Sequence, residues 1–367
     1  MKSSSFLTKA LTFGISITFL LSSGAAAINL PDQVSSRQCR SYAIRKEWSS
    51  LSAVERRTYI DAVLCLQSQP SKLPAGLVPG AISRFDDFVA THINNTLGIH
   101  LNGKFLSWHR QFVFLYEKAL QQECGYKGTQ PYWNWALYLD SPYKLEESLL
   151  FDGSNTSMSN NGVYDPSLAP IVVGGGAVLP RGNGGGCVTA GPFVNHTVRL
   201  GPFPFELVFT GKVPSNWTVA NPRCMQRDLS IAINELYNNA SSVAYLMQQT
   251  KTITEFQGNM SGADVHAGVH GGGHYILGGS GLDFFASPND PMFWLHHGMI
   301  DKVWSDWQSE DPTQRTWALN GTDTIFDPPG ATEITLDYEQ TWGYLSAARP
   351  TWQMLRVGYE GFCYRYE

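Results

Sequence analysis

The sequence predicts a mainly α-helical fold with long irregular loops. Apolar residues recur at helical spacing in residues 41–67 and 227–249, which we expect to form wall helices. In the first stretch, Ser52 followed three residues later by Glu55 indicates a capping box at a helix start. Residues 152–222 are instead rich in Gly, Pro, Asn and Ser, which favours a long irregular surface excursion.

The first 27 residues have the layout of a secretory signal peptide. Lys2 and Lys9 precede an apolar run over residues 10–21, and three alanines ending at Ala27 form a small-residue cleavage signal. The run is too short to span a bilayer. We therefore exclude residues 1–27 from the fold, expect export, and predict that residues 28–367 form a single domain.

Composition narrows the range of partners. A net charge of −5 without a basic stripe argues against nucleic acid, and after residue 21 there is no apolar run long enough for a membrane span. Six cysteines in an exported chain predict three disulfides, for which 15 pairings exist. Seven Asn-x-Ser/Thr sequons fit a secreted glycoprotein, and nothing in the sequence sets the oligomeric state.

Two histidines in the C-terminal half are placed to share a metal ion. His266 and His270 are four residues apart, so on a helix both imidazoles lie on one face, about 5–6 Å apart at Cβ. A zinc protease with this spacing would need a glutamate directly after His266, where Ala267 stands. We interpret His196 and His274 as packed or hydrogen-bonded residues.

A third histidine lies on a later helix. Asp290-Pro291 is typical of an N-cap followed by a first-turn proline, so a new helix should follow. On it Phe293, His297 and Asp301 recur at four-residue spacing and share a face. His297 is therefore our third ligand, and His296, which does not fully share that face, its neighbour.

A second set of three histidines lies upstream. His109 occurs at helical spacing with apolar residues such as Phe105 and Phe112, whereas His92 and His100 occur in irregular sequence rich in Asn and Gly. Three neutral imidazoles without cysteine or carboxylate suit copper, zinc, iron or nickel. Two such sets in one chain restrict the choice of metal much further.

Together these residues resemble the type-3 copper proteins, which comprise tyrosinases, catechol oxidases and molluscan-type haemocyanin units. The resemblance rests on H-x7-H-x8-H ending in FLSWHR, on H-x3-H, and on NDPMFWLHH-x3-D, with weaker matches in PYWNW and in the closing YRY. It covers roughly residue 39 to the C-terminus and is closest to short, secreted fungal tyrosinase-like polyphenol oxidases.

The resemblance implies a four-helix bundle core that holds two copper ions, surrounded by long loops. It also implies oxidation of o-diphenols (catechols) to o-quinones, with dioxygen reduced to water. The six ligands would be His92, His100, His109, His266, His270 and His297. The chain ends directly after the tyrosine motif, so we expect no C-terminal shielding domain.

The resemblance also suggests roles for residues around the metals. Phe293 should lie over the metal pair and exclude water, and Asn289, which opens the NDPMFWLHH motif, is a further pocket candidate. Asp301 should accept a proton from the second ring nitrogen of His297, or else pair at the helix surface with Lys302 or an arginine.

Two positions depart from the efficient monophenol-hydroxylating pattern. That pattern has an asparagine after the first histidine of the second set and a glutamate about nine residues before it. Here Ala267 and Gln257 stand in those places, and neither can act as a general base. We therefore expect weak hydroxylation of monophenols; Glu255, two residues from Gln257, leaves this alignment open.

Three alternatives remain at the sequence level: a full tyrosinase, an oxidase of o-aminophenols or methoxyphenols, and a haemocyanin-like oxygen carrier. The last is disfavoured because the chain is a single exported domain. For the disulfides we predict the pairs Cys39–Cys363, Cys65–Cys124 and Cys187–Cys224.

Overall fold

A computed structural model describes residues 38–139, 144–172, 178–262, 268–359 and 361–367. Residues Gln38–Glu367 form one compact unit. The predicted signal peptide lies outside the described residues and stays a prediction. Across the described part of the chain, no helix has the length and apolar character needed to cross a bilayer.

The prediction of a mainly α-helical fold is confirmed. Within the described ranges the α-helices are α1 Ala53–Ser68, α2 Arg84–Asn95, α3 Phe105–Glu123, α4 Ile231–Tyr237, α5 Ala240–Gln249, α6 Ile253–Ser261, α7 Gly268–Leu277, α8 Gly279–Leu282, α9 Met292–Glu310 and α10 Pro312–Arg315.

Helix α1 begins as the sequence predicts. The Ser52 hydroxyl accepts the backbone N–H of Glu55 at 3.2 Å, and the Glu55 carboxylate accepts the backbone N–H of Ser52 at 2.8 Å. Tyr59, Val63 and Leu66, which lie on one face of this helix, are fully buried. This capping box and the buried stripe together fix α1 as a wall of the core.

Helix α2 corrects one prediction. His92 lies within this helix, whereas the Asn-rich sequence around it predicted an irregular segment. Ser83 and Asp86 form a capping box at its start, and the two asparagines that suggested a loop occupy only its last turn. His100 lies in a turn after the short 3-10 helix Thr96–Gly98, as predicted.

Helix α9 begins one residue later than its sequence suggests. Pro291 stands at the cap position and Met292 is the first helical residue. The Asp290 carboxylate still accepts the Met292 N–H at 2.9 Å, but it also forms a buried ion pair with Arg227 at 2.7 Å. Asp290 therefore stabilises the helix start while joining it to the segment before α4.

Aromatic side chains hold helices α2, α3 and α9 together. The rings of Tyr116 and Trp294 stack with centroids 3.7 Å apart and planes 2° apart. Phe88 meets both rings edge-on, at 5.4 Å from Tyr116 and 5.6 Å from Trp294. Such edge-to-face and stacked pairs stabilise the fold by more than their buried area alone would. They therefore fix how the three helices pack around these rings.

Short strands connect the loops in two-stranded pairs. Of the described strands, β1 Ala43–Arg45 pairs with β10 Tyr364–Tyr366, β2 Gly162–Tyr164 with β5 Gly185–Val188, β3 Ile171–Val172 with β4 Val178–Leu179, β6 Thr197–Val198 with β7 Arg223–Cys224, and β8 Glu339–Gln340 with β9 Arg349–Pro350. Among these described pairs only β1 and β10 run parallel, with Ala43 opposite Tyr364, so the C-terminal tail packs alongside β1.

All three predicted disulfides are present. Cys39–Cys363 joins the two ends of the described chain, Cys65–Cys124 joins α1 to the end of α3, and Cys187–Cys224 links strands β5 and β7. The last bond supports residues 152–222, which the sequence predicted as a surface excursion. That prediction is only partly right, because Met158, Phe193 and Leu200 of this segment are fully buried.

Candidate metal centre

The first three histidines converge from two helices and a turn. His92 lies on α2, His109 on α3, and His100 in the turn between these helices. Their ring centroids are 5.0 Å apart for His92 and His100, 5.8 Å for His92 and His109, and 5.0 Å for His100 and His109. One ligand nitrogen from each lies within 4.8 Å of the others, which suits a single shared metal ion.

Hydrogen bonds orient all three rings in the same way. Each Nδ1 lies beside a backbone carbonyl oxygen, at 2.6 Å for His92, 2.9 Å for His100 and 2.8 Å for His109. The acceptors are the carbonyls of Phe285, Thr96 and Phe105. Because each Nδ1 must carry the hydrogen, each Nε2 has a free lone pair directed away from the backbone.

A second group of four histidines lies where α7 meets α9. His270 and His274 lie on α7, and His296 and His297 on α9, with ligand nitrogens within 4.8 Å of one another. His266, which we expected to pair with His270, lies outside the described residues, as does Ala267. The partner of His270 that the described structure supplies is therefore His274.

His296 already uses both ring nitrogens for hydrogen bonds. Its Nδ1 accepts the indole N–H of Trp135 at 3.2 Å, and its Nε2 donates to the carbonyl oxygen of His270 at 3.0 Å. The ring is fully buried. His296 thus has no free lone pair and supports α7 as the neighbour of the metal ligands.

The other three members of this group keep a free nitrogen. The Nδ1 of His274 lies 2.8 Å from the carbonyl oxygen of Gly281, which leaves its Nε2 as an acceptor. The Nε2 of His270 and both ring nitrogens of His297 are buried without a hydrogen-bond partner. Unpaired buried nitrogens are costly, so these positions are suited to a bound metal ion.

The two histidine sets face each other across helices α3 and α9. The rings of His109 and His297 stack with centroids 4.5 Å apart and planes 15° apart. His100 and His270 lie 6.2 Å apart, also nearly parallel. Two metal ions held by these sets would therefore be neighbours.

Burial keeps these imidazoles neutral. Loss of water around the rings lowers the pKa of His100 to about 3 and that of His274 to about 4. Burial and the neighbouring imidazoles also hold the pKa values of His109 and His297 well below the usual range. Neutral imidazole is the form that binds metal, so the site is ready for ions without first losing protons.

Phe293 lies between the two sets. Its ring centroid is 4.1 Å from that of His297, 5.2 Å from His92 and 6.3 Å from His109, and the side chain is buried. The ring therefore covers one side of the paired histidines with an apolar surface that excludes water.

Asp301 does not contact His297, and the prediction that it orients this ligand is wrong. Its Oδ1 accepts from Arg110 at 2.5 Å, and its Oδ2 accepts from Tyr364 and Tyr366, both at 2.6 Å, and from Arg45 at 3.3 Å. Four donors surround the carboxylate; burial by itself would raise its pKa, but the two arginines and the tyrosine hydrogen bonds lower it below the usual value. Asp301 instead joins α9 to α3 and to the C-terminal tyrosine motif.

Two other pocket candidates also have structural partners. Asn289 donates its side-chain N–H to the carbonyl oxygen of Leu200 at 3.0 Å, and its own carbonyl oxygen lies 3.1 Å from Nε2 of His196. It thereby joins residues 152–222 to the start of α9. His196 is a hydrogen-bonded core residue, as the sequence suggested.

Gln257 lines a cavity of about 10 Å³ with Leu106 and Trp304, and its amide lies 3.4 Å from the carbonyl oxygen of Asn102. Glu255 is exposed and caps the start of α6 through the backbone N–H groups of Lys251 and Thr252. The Glu255 carboxylate is therefore engaged in a helix cap at the surface, and the Gln257 amide cannot act as a general base.

The sequence analysis interpreted His274 as packed or hydrogen-bonded, and its Nδ1 does bond to Gly281, but His274 also lies in the group of histidines that could hold a metal ion. The sequence allows this grouping, because His266, His270 and His274 follow one another at four-residue intervals, a spacing that would put all three on one face of a continuous helix. Either consecutive pair satisfies the H-x3-H spacing. The sequence alone does not choose between them.

The donor set fits copper. Six neutral imidazoles, with no cysteine or carboxylate among the grouped ligands, suit a borderline or soft transition metal rather than calcium or magnesium. Five of their ring nitrogens are buried without a hydrogen-bond partner in the described structure. Copper bound by three imidazoles retains open positions for dioxygen and a substrate.

Comparisons with known proteins show which family the chain is similar to. Residues 82–310 match the family model described as the common central domain of tyrosinase. Tyrosinase P of Aspergillus terreus is 41% identical over 336 residues, which cover 90% of this chain and 93% of the relative. An N-acetyl-6-hydroxytryptophan oxidase of Emericella nidulans is 43% identical over 341 residues, covering 89% and 92%.

A solved structure is similar throughout. The polyphenol oxidase of Thermothelomyces thermophila, determined as a mutant, superposes with a TM-score of 0.82 at 40% identity. The match covers 89% of each chain, so the two proteins share the helical core described above.

Proposed function

Because the chain belongs to the tyrosinase family of copper oxidoreductases, we propose that it is a secreted polyphenol oxidase that converts catechols to o-quinones. Two catechols each lose two electrons and two protons. One dioxygen takes up these four electrons and four protons and gives two waters. The observation that carries this proposal is the facing pair His109 and His297, one from each three-histidine set, with rings stacked at 4.5 Å.

We assign one copper to His92, His100 and His109 and the other to His270, His274 and His297. In this assignment His274 takes the place that we first expected for His266. Its support is the free Nε2 of His274 and its grouping with the other two ligands within 4.8 Å. Copper would supply the one-electron steps that couple phenol oxidation to dioxygen reduction.

The protein's own residues would prepare and protect this chemistry. Backbone carbonyls orient four of the six ligands through Nδ1, so that their lone pairs converge before any metal arrives. Burial keeps the imidazoles neutral, and Phe293 excludes water from one side. A catechol would place its hydroxyl groups at the metals.

Hydroxylation of monophenols should be weak. If His270 is the first ligand of the second set, the residue after it is Gly271, which has no polar side chain, and Ala267 in the earlier alignment has none either. Glu255 is directed to a helix cap at the surface. Without a positioned base, a phenol keeps its proton at neutral pH.

Secretion is supported by independent features of the chain. The first 27 residues have the layout of an export signal, and seven sequons follow it. All six cysteines are paired in disulfides, which persist in oxidising compartments.

The test is a pair of matched substrates on the copper-loaded protein. We expect rapid quinone formation from 4-methylcatechol and turnover of 4-methylphenol slower by at least about 100-fold, the cost of a missing general base. Protein loaded with zinc is the control and should be inactive on both. Similar initial rates would identify a full tyrosinase, and reversible dioxygen uptake without quinone would identify an oxygen carrier.

A further inference from the structure

Four phenylalanine rings lead from the metal centre to the protein surface. Phe284 lies 4.7 Å from the ring of His100, and Phe205 lies 5.4 Å from Phe284. Phe209 follows at 5.6 Å from Phe205, and Phe326 at 5.8 Å from Phe209 with planes 3° apart. We call Phe284, Phe205, Phe209 and Phe326 the phenylalanine series.

The outer members of the series are exposed. Phe205 is 45% exposed, Phe209 68% and Phe326 49%. A single exposed phenylalanine is ordinary on a protein surface. Several in contact with one another form an apolar patch, and such patches commonly mark binding sites.

Asp283 fixes the inner part of the series. One carboxylate oxygen accepts the backbone N–H of Phe203 at 2.9 Å, and the other accepts those of Phe285 and Ala286, both at 3.0 Å. This side chain therefore joins the turn that carries Phe284 to the segment leading into the 3-10 helix Phe205–Thr210. The first two rings keep their spacing because one carboxylate holds both segments.

The outer end is held to the segment that carries His100. The backbone N–H of Phe326 donates to the carbonyl oxygen of Leu101 at 2.9 Å, and that of Ile325 donates to Leu97 at 2.8 Å. Phe326 has a backbone φ of 65°, a value that residues other than glycine rarely adopt. A strained conformation that presents an apolar ring to solvent is a feature associated with function.

We propose that the phenylalanine series binds a second aromatic ring of an extended phenolic substrate, while the catechol ring lies at the histidines. The inference rests on the proposed function and specifies its substrate class as phenols that carry an additional aryl group. We choose a ring of the same substrate as the ligand of this series because the series begins at the imidazole of His100, a proposed metal ligand, so one molecule can reach both places. The ring spacings of 4.7 to 5.8 Å are those at which aromatic rings pair.

The experiment compares two catechols on the copper-loaded enzyme. 4-Methylcatechol has no second ring, and 4-(2-phenylethyl)catechol has one on a short flexible arm. The variants are Phe205→Ala and Phe209→Ala, with Tyr164→Ala as the control, since Tyr164 is an aromatic residue of strand β2 that is 62% exposed. We expect the first two variants to raise KM for the phenylethyl compound about three- to tenfold.

The same variants should leave kcat and KM for 4-methylcatechol unchanged, and Tyr164→Ala should change neither substrate. Equal effects on both substrates, or none, would overturn the inference. The inference would also be overturned if either variant changed the sedimentation coefficient of the protein but not KM, because the series would then be a self-association surface.

A binding measurement separates this inference from the proposed function. 4-(2-Phenylethyl)resorcinol is a 1,3-diphenol that cannot form an o-quinone, and its Kd can be measured by calorimetry against that of resorcinol. If catechols are not turned over but Phe209→Ala still weakens this ligand about three- to tenfold, the binding site stands and the proposed reaction fails. If catechols are turned over and the Kd does not change, the binding site fails.

Discussion

A Cβ atom added to Gly273 would lie 2.1 Å from Cε1 of His296. Carbon atoms that are not bonded do not approach so closely, so helices α7 and α9 meet here only because this residue has no side chain. A Cβ on the preceding Gly272 would likewise lie 2.0 Å from Oδ1 of Asn238. The glycines between His270 and His274 thus allow α7 to bring both imidazoles beside His297.

Replacing Gly273 with alanine should damage the second metal site. Alanine favours a helix over glycine by about 1 kcal/mol, but the clash with His296 should outweigh this gain. We expect a net loss of about 1–3 kcal/mol in the free energy of unfolding, as for an overpacked core, together with loss of one copper per chain. Chemical denaturation and metal analysis measure the two effects, and wild-type values for both would contradict this packing.

Alanine substitution of His274 and of His266 in turn distinguishes the two possible ligand pairs. His274→Ala should reduce bound copper from two ions per chain to one, because it removes a ligand nitrogen from the second set. His266→Ala should retain both ions. Metal analysis after dialysis gives the ratio, and His196→Ala is the control because His196 bonds to a backbone carbonyl in the core. The reverse pattern would restore His266 as the ligand.

Asp301→Asn should destabilise the protein without removing copper. The variant leaves Arg45 and Arg110 buried with less negative charge nearby, so we expect a loss of about 3–5 kcal/mol in the free energy of unfolding. Asp306→Asn is the matched control, since Asp306 pairs with Lys302 in a half-exposed ion pair on the same helix and should change stability by under about 0.5 kcal/mol. Loss of copper from otherwise stable Asp301→Asn protein would show that Asp301 does act on His297.

The stability of the copper-free protein should fall as the pH falls below about 6.5. An unfolded histidine has a pKa near 6.5, whereas burial lowers that of His100 to about 3 and that of His274 to about 4 in the folded protein. Between these values the unfolded chain binds more protons, so acid favours unfolding. Each such histidine should contribute a slope of up to about 1.4 kcal/mol per pH unit.

Urea denaturation of copper-free protein at several pH values between 4.5 and 7.5 gives this slope. Carboxylates such as Asp301, whose pKa lies below its usual range, take no part in this window. Copper-loaded protein is the comparison and should be more stable at every pH with a similar slope, because copper binds the folded state while the unfolded histidines still take up the protons. A flat curve for the copper-free protein would mean that its imidazoles are not held neutral by burial.

Features set by short stretches of chain were predictable from sequence. The Ser52 capping box, the helix carrying His297 and Asp301, and the positions of His100 and His109 depend on residues within a few turns of one another. The disulfide pairs were also predicted, although 15 pairings were possible. His92 was assigned to a loop because the asparagines at the end of α2 are typical of loops and made the helical spacing of its apolar residues less evident.

Long-range contacts decided the rest. Asp301 shares a helical face with His297, which is why a contact between them was expected, but its carboxylate is directed instead to arginines and tyrosines from other parts of the chain. Likewise, no short stretch of sequence indicates that Phe284, Phe205, Phe209 and Phe326 touch in series.

By itself the sequence determined that the chain carries two three-histidine sets suited to copper, because ligand type and helical spacing are local properties. It also offered three histidines at intervals of four residues, among which spacing does not discriminate. Only the tertiary structure places His270 and His274 beside His297, since that arrangement depends on where α9 crosses α7, and the crossing requires the absence of a side chain at Gly273.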